Sequence, residues 1–188
     1  MGMTFEVKQM NLPNKITTLR FCLIPVFLVI YLAEPFGETA SAWLALIVFS
    51  VAAITDAIDG YLARRLSMVT NFGKLMDPLA DKLLVCSALI AFTYTGTVPA
   101  WATILMISRE FYISGLRQLA LEQGRVLAAT NIAKFKTISQ IVLIIYLLIP
   151  FTFLVFDVLV LALIIIASIA SVVSAIDYTV KNKCVFAR

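Results

Sequence analysis

The sequence predicts an all-α, polytopic integral membrane protein of six transmembrane helices with a polar cavity near one membrane face. Three observations predict it. The 188 residues are 62% hydrophobic and only 14% charged, a balance that soluble domains rarely tolerate. Apolar runs long enough to span a bilayer, or nearly so, recur six times. Four aspartates fall within 26 residues of this apolar chain, at 56, 59, 77 and 81.

The six predicted spans are 16–33, 40–63, 77–94, 99–115, 133–149 and 154–178. The basic residues orient them. Lys8, Lys15 and Arg20 lie at the first end, and Arg64, Arg65, Lys74 and Lys82 around the second connection. Arg117, Arg125, Lys134 and Lys136 surround the fourth, and Lys181, Lys183 and Arg188 occupy the tail. The connections near 34–38, 96–99 and 151–157 carry no Lys or Arg. The positive-inside rule therefore expects both termini and the aspartates on the cytoplasmic side. An even number of spans agrees with this. Arg109 is left over, because it falls inside a predicted span.

The net charge of +4 reads as topology and affinity for anionic lipid heads rather than nucleic-acid binding, for which little extramembrane chain remains. Residues 1–10 are expected to be an N-terminal extension without the apolar core of a signal peptide, with Met10 a candidate start. No internal repeat or linker divides 1–188, so one membrane domain is expected. Cys22, Cys86 and Cys184 show no paired spacing, and Cys22 and Cys86 read as small packing residues.

The aspartates follow a strict pattern: D-x-x-D-G-x-x-A-R, eight residues, then G-x-x-x-D-x-x-x-D. Offsets of three and four put both side chains of each pair on one helical face. At ~5 Å and an effective dielectric of 20, each close pair of carboxylates repels by about 3 kcal/mol. Such a cluster needs cations between its members, or protons on some of them. An all-oxygen donor set suits Mg²⁺, Mn²⁺ or Ca²⁺, and with no His and only three scattered Cys a zinc site is not expected. Asp56 lies 16 residues past the start of its span at Ala40, ~24 Å into a core of ~30 Å, close to the cytoplasmic boundary. Pro78 fits the first turn of the third helix.

Gly60 and Ala63 leave room for a base or diphosphate, or they serve close helix packing. Gly73 is expected to let a loop turn tightly into the third helix. Arg64 is either an interfacial anchor or a donor contact. Further along, Arg109, Glu110 and Arg117 fall in or after the fourth span, and Lys134 and Lys136 open the fifth. Together, Arg109, Arg117, Lys134 and Lys136 suggest a cationic pocket for a phosphate. Pairing of Arg109 with neighbouring acids, and snorkelling lysines, are the plainer alternatives.

The aspartate pattern resembles the signature of the CDP-alcohol phosphotransferase family at every position. The strings at 11–17, 56–83, 108–110, 115–117 and 134–137 are similar to the bacterial branch that joins CDP-diacylglycerol to sn-glycerol 3-phosphate. Ala133 departs from that branch, which commonly has Gly there. The resemblance implies a phosphatidyl transferase of the bacterial cell membrane in phospholipid biosynthesis, releasing CMP and working as a homodimer. It implies Mg²⁺ or Mn²⁺, two ions, on Asp56, Asp59, Asp77 and Asp81, with Asp81 as general base, metal ligand or both. It places Asn14, Asp59, Gly60, Ala63, Arg64 and Gly73 at the donor nucleotide. The four-aspartate motif does not choose the acceptor: inositol phosphate, serine or phosphatidylglycerol remain alternatives. A divalent-cation carrier and a polyprenyl transferase are the competing classes.

Asp59→Ala is expected to lose metal-dependent activity, and excess Mg²⁺ should not fully restore it. Normal turnover with unchanged metal dependence would refute the metal assignment.

Overall fold

The computed structural model describes the backbone over 12–66, 71–124, 131–150 and 154–183, and side chains over 18–55, 82–124, 131–150 and 157–183. Residues 1–10, Arg125, Cys184 and Arg188 lie outside the described residues. Asn14, Lys15 and the motif residues from Asp56 to Asp81 stand in helices, but their side chains lie outside the described ones.

Six helices appear among the described residues: α1 Leu12–Ala33, α2 Glu38–Leu66, α3 Asn71–Tyr94, α4 Ala100–Glu122, α5 Asn131–Leu148 and α6 Leu154–Lys181. Short connections make sequence neighbours antiparallel. The odd helices therefore run one way and the even helices the other. α1 packs chiefly against α2 and α3, and α6 against α5 and α4. α2 and α3 join the two halves through contacts with α5, and α3 also meets α4.

Each expected span is found as a helix, and the differences lie at the polar ends. α3 begins at Asn71, so Pro78 lies well inside it and Gly73 belongs to its first turn, not to a loop. α4 continues through Gly115 to Glu122. It ends where the Gln123 and Gly124 amides bond back to carbonyls at 119–121, with Gly124 at a φ of 70°. The physical reason is common to both. Hydropathy registers only the apolar stretch, whereas backbone hydrogen bonding carries a helix on into polar sequence. Between α3 and α4 the chain reverses at Gly96 (φ 79°), where the amides of Thr97 and Val98 both donate to the Phe92 carbonyl, at 2.9 and 3.1 Å.

The core is built from one stripe on each helix. Ile24 and Phe27 of α1 meet Ala45, Phe49 and Ala52 of α2 and Leu84, Ala88 and Phe92 of α3. The Phe27 ring centroid is 5.9 Å from that of Phe49, and the Tyr31 ring meets Phe92 edge-on at 5.2 Å. Ala102 and Met106 of α4, Leu143, Ile144 and Leu148 of α5, and Val160, Ile164 and Ala167 of α6 complete it. The alanines let helix backbones approach closely, as they must where hydrocarbon gives no hydrophobic drive for helix association.

The outer surface is as apolar as the inside. Val29, Ile47, Ile104, Leu161 and Ile169 are each more than half exposed. So continuous an apolar exterior is stable in lipid and not in water. Among the described residues, Glu38–Thr55, Asn131–Leu148 and Asp157–Lys181 are long and apolar enough to cross a bilayer, and Thr18–Ala33 and Lys82–Tyr94 are shorter apolar stretches. The chain is a membrane protein. Cys86 is buried, as expected, whereas Cys22 is exposed on α1 rather than packed.

Phe49→Ala should destabilise the bundle by roughly 3 kcal/mol, because it empties a packed site. Ile47→Ala, on the exposed face of the same helix, should change stability by less than about 0.5 kcal/mol. Melting of both variants in detergent checks the assignment of the two faces.

Candidate active site

The site is assembled from α3, α4 and α5, with α6 behind α4. A cavity of about 470 Å³ is lined by Lys82 of α3, by Arg109, Glu110, Ile113, Ser114 and Arg117 of α4, and by Ala133, Lys134, Thr137 and Ile138 of α5. Among the described residues, four cations line it against one carboxylate. These side chains make the wall complementary in charge to a small anion.

α4 places its polar residues by helical spacing. Arg109 and Ile113, four apart, share a face with Leu116 and Ala120, and all four are buried. Arg109 is 8% exposed. One terminal nitrogen donates to Ser174 Oγ on α6 at 2.5 Å, and the other approaches Glu110 Oε1 at 3.4 Å. Its Nε has no hydrogen-bond partner among the described residues. Two turns further along, Arg117 donates from Nε to the Tyr178 hydroxyl at 3.1 Å. Its guanidinium carbon stands 5.7 Å from the centre of the same ring, a cation–π distance. Tyr178 is fully buried, so this arginine is held from behind. Ser174 and Tyr178 are four apart on α6 and present one face to α4.

Glu110 is the pivot. Its carboxylate forms an ion pair with Lys136 of α5, which is 2% exposed, and also faces Arg109. Lys82 donates to Ser114 Oγ, which in turn donates to the Glu110 carbonyl. Three helices are thus joined by charged or polar contacts around one residue.

The sequence grouped Arg109, Arg117, Lys134 and Lys136 as one pocket. The structure brings Arg109, Arg117 and Lys134 to the cavity wall. Lys136 is buried behind the wall against Glu110 and is not among the cavity-lining residues. Position decides this: Lys134 and Lys136 are two apart on a helix and cannot share a face. Pairing of Arg109 with Glu110, the plainer alternative, is also present. Lys82, Ser114, Ser174 and Tyr178 were missed. Lys82 had a signal, since it follows Asp81 directly. The other three become visible only through the packing of α4 on α3 and α6.

The motif residues are placed by backbone alone. Asp56, Asp59, Gly60, Ala63 and Arg64 stand on the last turns of α2, and Gly73, Asp77 and Asp81 on the first turns of α3, with Asn14 near the start of α1. Among the described side chains no group of three acidic, Cys or His residues is suited to a metal. The motif's own donor set fits a hard divalent ion: four carboxylates, paired three and four apart on two packed helices, with no His in the chain.

Glu110→Gln is expected to lower stability by about 3–5 kcal/mol, because it removes the carboxylate that forms an ion pair with buried Lys136. Adding Lys136→Met should recover most of that loss. Both are read as melting temperatures, and native-like melting of Glu110→Gln would contradict the pairing.

A family model described as CDP-alcohol phosphatidyltransferase matches residues 10–175. The chain is 44% identical, over 188 aligned positions covering 92% of it and 95% of the relative, to a CDP-diacylglycerol--glycerol-3-phosphate 3-phosphatidyltransferase of Bacillus subtilis (strain 168). It is 43% identical to the enzyme of the same name from Rickettsia bellii, over 69% of this chain and 70% of that one. A probable phosphatidylglycerophosphate synthase of Mycobacterium tuberculosis (strain H37Rv) is 40% identical over 70% of this chain and 63% of its own length. With an anion-sized cationic cavity beside the helix that carries Asp77 and Asp81, and with these matches, the chain belongs to the CDP-alcohol phosphatidyltransferase family.

Proposed function

We propose that the chain is a phosphatidylglycerophosphate synthase. It transfers the phosphatidyl group of CDP-diacylglycerol to sn-glycerol 3-phosphate and releases CMP, in the route to phosphatidylglycerol and cardiolipin. The relatives' names support both substrates. The observation that carries the reading on this chain is the cavity. Lys82 lines it, and Lys82 adjoins Asp81. A phosphate held by Arg109, Arg117 and Lys134 is thereby beside the helix that bears the motif. A doubly charged phosphate suits this wall, and an uncharged alcohol such as inositol, or zwitterionic serine, leaves its cations uncompensated.

In this reading the phosphate of glycerol 3-phosphate is anchored and its primary hydroxyl points toward α3. The hydroxyl oxygen forms a bond to the lipid-side phosphorus, the bond from that phosphorus to the CMP oxygen breaks, and Asp81 takes the hydroxyl proton. Lys136 supports the pocket from behind by fixing Glu110. Asn14, Gly60, Ala63, Arg64 and Gly73 contact the donor. Asp56, Asp59, Asp77 and Asp81 would hold two Mg²⁺ or Mn²⁺ ions, which when bound supply charge neutralisation of the diphosphate.

We also read the chain as one domain over 1–188 with six spans, working as a homodimer. Both termini and the site lie on the cytoplasmic side of a bacterial membrane. Support for this orientation is the gathering of Lys82, Arg117, Lys134, Lys181 and Lys183 toward one end of the bundle, against connections at 34–37 and 95–99 that have no Lys or Arg.

Arg109→Ala tests the acceptor assignment. Loss of a charge-assisted contact worth roughly 1.5–3 kcal/mol should raise the apparent KM for glycerol 3-phosphate about ten- to a hundredfold and leave the donor's KM nearly unchanged. An unchanged acceptor KM in a variant that merely melts lower would move the phosphate elsewhere.

A further inference from the structure

Arg20 belongs, by its place in the sequence, to the cations expected at the membrane interface, yet it is 2% exposed. Snorkelling does not account for it, because a snorkelling side chain keeps its head in water. A guanidinium sealed inside a bundle needs acceptors or a counter-charge at its own level.

The packing fixes that level. Phe27 of α1 meets Phe49 of antiparallel α2, and Tyr31 of α1 meets Phe92 of parallel α3. Arg20 lies seven residues before Phe27. Seven residues beyond Phe49, in the direction that matches, stands Asp56. Arg20 also lies eleven residues before Tyr31, and eleven before Phe92 stands Asp81. Seven and eleven residues are close to two and three helical turns, so each step stays on one face. The buried stripes say the same. Phe27 and Ile24 lead to Arg20, Phe49 and Ala52 lead to position 56, and Phe92, Ala88 and Leu84 lead to position 81. Asp59 and Asp77 stand about one turn further toward the helix ends.

We propose that Arg20 is a positioning residue of the aspartate site: it is the built-in counter-charge of the layer it shares with Asp56 and Asp81, and it holds that layer together when no metal is bound. The metal role rests on the proposed function, but the charge layer does not. Carboxylates that share a level repel, and without a fixed cation a metal-free bundle would be held apart there. Arg20 lets α1, α2 and α3 close before metal or donor arrives. Divalent ions then add to a site already formed.

The test is melting of the purified full-length protein in detergent with EDTA. Arg20→Met should lower the melting temperature by roughly 10 °C. Combined with Asp56→Asn or Asp81→Asn, it should lower it by clearly less than the sum of the single effects. Combined with Asp59→Asn or Asp77→Asn, one turn further away, the shortfall should be smaller. Replacing EDTA by Mn²⁺ should raise the melting temperature of Arg20→Met more than that of the native protein, because the ion supplies the missing charge. Arg20→Lys, which keeps the charge, should respond as the native protein does, and Arg20→Gln, which removes the charge but keeps polar atoms, takes the place of Arg20→Met in the cycle if that variant does not fold. Additive effects with both Asp56 and Asp81 would overturn the proposal. So would an equal Mn²⁺ response in Arg20→Met and a responsive native protein. A native protein that does not respond to Mn²⁺ would contradict the metal reading instead, and the coupling measured in EDTA would still decide the role of Arg20.

Discussion

Hydrocarbon offers no solvation to charge, so each ionised group inside this bundle must be balanced by the protein itself. Glu110 meets that constraint in the C-terminal half. It faces Arg109 on its own helix and pairs with buried Lys136 on α5, while Arg109 reaches Ser174 on α6. These contacts fix how α4, α5 and α6 stand relative to one another. They also decide which cations are spent inside the wall and which face the cavity. With Lys136 paired to Glu110, Arg109, Arg117, Lys134 and Lys82 are the cations that line the cavity among the described residues.

The molecule divides its labour along α3. The N-terminal half, α1 to α3, carries the aspartate motif on the ends of α2 and α3. The C-terminal half supplies the anion cavity. α3 packs against α1, α4 and α5, and through Lys82 it contributes to the cavity wall one residue from Asp81. A two-substrate transfer needs this juxtaposition, because its rate depends on holding an acceptor oxygen in line with the donor phosphorus. Small anchoring shifts are costly in such a reaction, which gives a physical reason for fastening Arg117 from behind with the buried Tyr178.

Much of this was legible in the sequence. The six apolar runs are the six helices found among the described residues, because long apolar runs bury their backbone and helices satisfy its hydrogen bonds within the run. The ends were less legible. Asn71 starts α3 and Glu122 ends α4, both beyond the apolar stretch, since hydropathy says nothing of a helix where its sequence turns polar. In the cavity, Arg109 was found because it had no topological excuse, and Arg117 and Lys134 because they clustered with it. Lys136, two residues past Lys134, turns to the other side of its helix and meets Glu110. Ser174, Tyr178 and the burial of Arg20 depend on which helices become neighbours, and no local pattern in a single sequence carries that information.

The central claim is that this cavity selects an alcohol that bears a phosphate. The direct measurement is release of CMP, with formation of labelled lipid, by the purified protein given CDP-diacylglycerol and a panel of sn-glycerol 3-phosphate, inositol phosphate, serine, phosphatidylglycerol and glycerol. The account requires rapid turnover with sn-glycerol 3-phosphate, giving a lipid that retains the acceptor's phosphate, and little with glycerol or serine. Preferential use of an acceptor without a free phosphate, or movement of divalent ions with no CMP released, would contradict it.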